Sequence, residues 1–179
     1  MRQILILFLL TVGLSSENLV KQIDNECEII NNSLETFTKV ENDDIDVFQD
    51  LSKDNYSYES VNIYRVAVIN LIRFYDKNAI RKSIVNFDGD RQDLISEYFY
   101  KNDSLILVSK TRVDYDKPKW SEGFNEKENK TFKNKFYFKN NELINWINSE
   151  NKTVDLSRVD KMKAIRIISD SELYRSIEK

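Results

Sequence analysis

Residues 98–106 read Tyr98-Phe99-Tyr100-Lys101-Asn102-Asp103-Ser104-Leu105-Ile106, and residues 136–144 read Phe136-Tyr137-Phe138-Lys139-Asn140-Asn141-Glu142-Leu143-Ile144. Each is an aromatic run, a two-residue turn rich in Asn and Asp, and an aliphatic run. Asn and Asp tolerate the positive φ of tight hairpin turns, because their short polar side chains can hydrogen-bond locally. A two-residue connection forces antiparallel neighbours. The echo therefore predicts a repeated hairpin inside one antiparallel sheet. Two copies are too few for a solenoid or propeller, whose units need at least about three stacked neighbours.

Outward from the echo, the period of two runs from Val61 to Asn148. It predicts strands at Arg65 to Tyr75, Ile80 to Phe87, Leu94 to Lys101, Ser104 to Tyr115, Lys133 to Lys139 and Glu142 to Asn148. The joints Asp76-Lys77-Asn78 and Asp88-Gly89-Asp90-Arg91 are also turn chemistry. One connection differs: Asp116 to Phe132 is long and polar and holds the only proline, Pro118. On the N-terminal side, Leu19, Ile23, Cys27, Ile30, Leu34 and Phe37 recur at three- and four-residue gaps, which predicts an amphipathic helix over 16–40. Cys27 lies on that stripe and reads as a small core residue. Residues 41–60 carry Glu41, Asp43, Asp44, Asp46, Asp50, Asp54 and Glu59 against Lys53 alone, and read as a solvated acidic linker. An EF-hand would need glycine at its sixth position and glutamate at its twelfth, and no register here supplies both. Leu156 to Glu178 predicts a C-terminal helix from the spacing of Val159, Met162, Ile165 or Arg166, Ile168 and Leu173. The expected fold class is α+β: an antiparallel meander of about six strands over 61–179, flanked by an N-terminal and a C-terminal helix.

The first residues suggest a destination. Ile4 to Leu14 is apolar apart from Thr11 and Gly13, follows Arg2, and precedes Ser15 and Ser16. That run is too short for a bilayer core, which takes about 20 residues. It reads as a signal peptide over 1–15, hence an exported protein, periplasmic or extracellular, with no integral membrane span after cleavage.

Composition removes whole classes of chemistry. With no histidine among 179 residues, histidine-based triads and histidine zinc sites are excluded. One cysteine excludes an intramolecular disulfide and a Cys-x-x-Cys pair. Three well-separated glycines, Gly13, Gly89 and Gly123, cannot build a phosphate-binding loop or a dinucleotide fingerprint. No cofactor and no metal site is expected. A net charge of -3 disfavours nucleic acid as a partner. The Lys-aromatic alternation of Lys133, Lys135, Tyr137 and Lys139 suits the solvated side of a strand, where lysines discourage aggregation.

The stretches Tyr98 to Val108, Tyr115 to Trp120 and Phe136 to Trp146 resemble a group of small exported bacterial proteins of unknown function with aromatic β-hairpin repeats. Members often carry Gly in the turns where this chain has Asp103 or Asn141. The resemblance implies an exported α+β protein and assigns no reaction.

Binding is the function class that survives. Tyr115, Pro118, Trp120 and Phe124 stand among Asp and Lys in the long loop, where aromatic residues make interface anchors or tuck back as a lid on the sheet. The expectation is a non-catalytic interaction protein whose partner is a protein or a cell-envelope component. A carrier holding an apolar ligand between sheet and helix is the alternative, and a carboxylate-based hydrolase stands third.

Overall fold

A computed structural model describes residues 16–43 and 69–177. The leader 1–15, all of the acidic linker beyond Asp43, and the start of the first expected strand lie outside the described residues. Helix α1 (Ser16–Asn32) is followed by seven strands: β1 (Thr38–Asn42), β2 (Ile69–Asp76), β3 (Ala79–Asp88), β4 (Gln92–Lys101), β5 (Ser104–Asp114), β6 (Lys130–Lys139) and β7 (Glu142–Ile147). Helix α2 (Lys161–Ser176) closes the described chain. The strands form one antiparallel sheet in sequence order, each paired with its neighbours in the chain. No helix among the described residues is long and apolar enough to cross a membrane.

The α+β meander with two flanking helices is therefore what the molecule adopts, with one strand more than the six expected. The extra strand corrects the N-terminal boundary. The helix predicted over 16–40 ends at Asn32, a short 3-10 turn spans Leu34–Thr36, and Thr38–Asn42 pairs with β2, Lys39 lying opposite Phe74 and Glu41 opposite Ile72. Leu34 and Phe37 prolong the helical spacing, yet they pack against the α1 side of the sheet from the turn and the joint after it.

The hairpin echo has a third member. In the turns after β4 and β6, Asn102, Asp103, Asn140 and Asn141 all have positive φ, and in the turn after β2 so does Lys77. All three hairpins carry a register shift at the same place, between Phe74/Tyr75, Phe99/Tyr100 and Tyr137/Phe138. A bulge puts two residues opposite one. It turns Ile106 and Leu107 together toward α1, while Leu105 and Val108 face α2.

Among the described residues, each face of the sheet is covered by one helix. Against α1, Ile23, Cys27 and Ile30 pack on Phe99, Leu107 and Tyr137. Polar ties fix this docking: Glu26 bridges Arg81 at 2.8 Å and Lys101 at 2.6 Å, Asp24 accepts from Tyr137 Oη at 3.0 Å, and Lys82 donates to Asn31 at 2.8 Å. Burial, reinforced by the nearby Asp24 carboxylate, pushes the Cys27 thiol up to about 12, so it stays protonated and sheltered as the stripe implies. Against α2, Tyr98, Tyr100, Val108, Phe136 and Phe138 meet Ile167 and Tyr174, with the Tyr98 and Tyr174 rings edge to face at 5.5 Å.

Of the side expected to be buried within α2, only Ile168 packs against this cluster, half-buried. Met162, Ile165 and Leu173 are exposed, and Ile167, Asp170, Ser171 and Tyr174 are buried. Asp170 lies 3.6 Å from Lys110 of β5, and the Ser171 hydroxyl donates to Tyr100 Oη at 3.2 Å. Burial pulls the Lys110 ammonium down while Asp170 holds it up. Asp160 caps the helix, its carboxylate accepting from the Met162 amide at 2.9 Å.

Candidate functional site

The β4–β5 and β6–β7 turns and the β2–β3 turn lie at one end of the sheet. The β3–β4 turn and the long β5–β6 loop lie at the other. The long loop begins at Tyr115, directly after β5, and runs to Asn129 before β6. It is strapped to the β3–β4 turn: the Tyr115 amide donates to the Arg91 carbonyl and the Lys119 amide to the Asp90 carbonyl, both at 2.9 Å. Within it, the Ser121 amide and hydroxyl both donate to the Pro118 carbonyl, at 2.9 and 2.8 Å. Gly123 takes φ +75, a conformation that L side chains rarely adopt.

Asp93, near the start of β4, organises the loop. Lys119 Nζ donates to both of its carboxylate oxygens, at 2.7 and 2.9 Å, and also pairs with Asp88. The Tyr115 hydroxyl donates to Asp93 Oδ2, and the Gly89 amide to Oδ1 at 3.2 Å. Lys119 Nζ lies 4.9 Å from the centre of the Tyr115 ring, and Phe124 meets that ring edge-on at 5.5 Å. Beside this cluster opens a cleft of about 520 Å³, lined by Asp93, Val113, Tyr115, Lys119, Phe124 and Glu126 among others.

The four residues singled out in the sequence thus divide into two roles. Tyr115 and Phe124 are half-buried and hold the loop, and Pro118 is half-buried and supplies a carbonyl to the turn. Trp120 alone is presented, 76% exposed, between the pinned Lys119 and Ser121. Trp146 contrasts with it: half-buried, its indole N–H donates to Asn134 at 3.0 Å, it packs on Phe136, and Lys163 Nζ sits 3.8 Å from its ring centre. Sequence reasoning missed Asp93, Asp88 and Lys119. Asp93 is over twenty residues from the loop and looks like any strand-start carboxylate. The one signal available was a Lys next to the loop's Trp with acidic turns upstream.

The charges at this cluster are fixed at neutral pH. Burial alone would push Asp93 up, but hydrogen bonds from Lys119, Tyr115 and the Gly89 amide outweigh it and hold the carboxyl below its ordinary range. Burial and the hydrogen bond to Asp93 push the Tyr115 phenol up to about 12. Burial would lower Lys119, but Asp88 and Asp93 raise it above the ordinary lysine value. None of the three titrates near pH 7, where a general acid or base is most effective.

An unfolded Asp titrates near about 3.9, above native Asp93. Its stabilisation is therefore present above about pH 4 and is lost as pH falls through the native value. Tyr115 and Lys119 move the other way: the native state keeps protons that the unfolded chain releases from about pH 10 upward, so stability falls on the alkaline side. In a Trp146→Phe protein, the emission of Trp120 should stay constant across the plateau and change at both limbs. Asp93→Asn should abolish the acid limb; an unchanged acid limb would show that Asp93 does not hold the loop.

No family model matches the sequence, and no curated protein or solved structure matches it.

Proposed function

We propose that the protein is a non-catalytic interaction module, exported from the cell, which docks a protein or cell-envelope component through the 115–124 loop with Trp120 as its anchor. The observation that carries this reading is the exposure of Trp120 on a loop whose neighbouring residues are held by Asp93, Asp90 and Arg91. Large aromatic side chains dominate interface energetics, and an anchor held in place before binding loses little conformational freedom on docking. The cleft at the Asp93 cluster, with Glu126, Asn129 and Thr131 in its lining, supplies polar contacts at the rim. Ionisable groups with fixed charge suit recognition better than proton transfer.

Trp120→Ala should weaken capture of the partner by at least about 2 kcal/mol and leave the urea midpoint of unfolding unchanged. Lys117→Ala, an exposed change in the same loop, should keep capture intact. Affinity capture from the source cell envelope with the three proteins side by side reads this directly. A partner retained by Trp120→Ala would move the binding site elsewhere. A destabilised Trp120→Ala protein would make the loop a structural lid.

A further inference from the structure

The two edges of the sheet are finished differently. Along β7 the chain doubles back: Thr153 bridges Ile147, the Asn148 amide donates to the Lys152 carbonyl and the Val154 amide to the Trp146 carbonyl, both at 2.9 Å. This return partly covers the edge, a usual defence of a terminal strand. Among the described residues, strand β1 has a strand neighbour on one side only, β2. The helices sit inward of it, α1 against β5 and β7 and α2 against β3 and β5.

The β1 sequence Thr38-Lys39-Val40-Glu41-Asn42 is self-complementary when reversed. An antiparallel pairing with a second copy, centred on Val40, sets Val40 against the other Val40, Lys39 against Glu41, and Glu41 against Lys39. Directly opposed residues share a face, so both charge pairs form on the side of the sheet that carries Phe74 and Ile72, the cross-strand neighbours of Lys39 and Glu41. Lys39 and Glu41 side chains are 50% and 46% exposed and already pair with each other at 2.6 Å. Each can therefore exchange its own partner for the other copy's without stranding a charge. The β-branched valines meet at the two-fold axis, a favourable cross-strand pair.

We infer that β1 is a homodimerisation edge, joining two copies into one continuous antiparallel sheet of fourteen strands about a two-fold axis through Val40. The contact is isologous, as closed dimers require. Five residues of edge bury less than the standard interface, so the association is weak and reversible, with a dissociation constant on the order of 100 µM.

Sedimentation equilibrium on the purified protein should give a monomer–dimer equilibrium in that range. Lys39→Glu opposes two acidic pairs and Glu41→Lys two basic ones, so each variant alone should associate about tenfold more weakly. An equimolar mixture of the two restores both opposite-charge pairs and should recover dimer as a heterodimer. Equal urea midpoints for the variants and the parent confirm that folding is intact. A parent monomeric to about 1 mM, single variants that associate as the parent does, or a mixture that fails to recover dimer would each overturn the assignment.

Discussion

Phe136→Ala should cost about 3 to 5 kcal/mol of folding stability, read as a lowered urea midpoint at an unchanged denaturant slope. Phe136 is 2% exposed in the middle of β6, opposite Val108 on one side and Trp146 on the other. Its ring lies 5.2 Å from that of Trp146, within the cluster that packs α2 on the sheet. Truncation removes the transfer free energy of a whole ring and leaves a cavity, because flanking strands fixed by ladder hydrogen bonds cannot collapse into it. Against a total stability of about 5 to 15 kcal/mol, such a loss brings the protein close to unfolding. Phe136→Leu retains most of the volume and should cost much less. A Phe136→Ala change of under about 1 kcal/mol would mean that this face is not a close-packed core.

The second large effect is expected at Arg73. This side chain is 1% exposed. Its guanidinium donates through Nη1 to the Ile177 carbonyl, where α2 ends, and through Nη2 to Asn42 Oδ1 of β1 at 2.7 Å. It thus ties the edge strand to the helix terminus and places positive charge at the negative end of the helix dipole. Arg73→Met should cost about 3 kcal/mol, since a half-buried carbonyl and a half-buried amide oxygen lose a charged donor. Arg73→Lys keeps the charge without the planar fork and should recover only part of the loss. Amide exchange in the last turn of α2 and along β1 should rise together in both variants. If exchange rises in one element only, Arg73 does not couple them.

The contrast between these two positions explains what the sequence made legible. Phe136 belongs to an alternating aromatic run beside an Asn-Asn turn, and both signals are local, so the sheet and its turns could be read directly. Arg73 reads as a solvated charge until the fold sets it between Asn42 and Ile177. The α2 face misled for the same reason: Asp170 and Ser171 are buried because Lys110 and Tyr100 meet them from the sheet, whereas Met162 and Ile165 look like core and face outward. Strand β1 was hidden because an edge strand of five mostly polar residues has no alternation strong enough to interrupt the helical spacing that Phe37 continues. In the loop, Trp120 could be picked out as an aromatic among charges. Its rigid support came from Asp93 in another strand, a relation that only the paired sheet creates.

The strictly sequential pairing of the strands also governs how the molecule acquires its shape. Loop-closure entropy rises with the length of chain enclosed, and three of the hairpins enclose only a two-residue turn. These can form on the microsecond scale typical of isolated hairpins, independently of one another. The β5–β6 ladder must close around the 115–129 loop, and β1 must find β2 across residues 43–68, so these contacts carry the larger entropic cost. The other strand pairs close over short turns, which favours fast formation of those ladders. The order of assembly places the three bulged hairpins first and the edge strand β1 among the last.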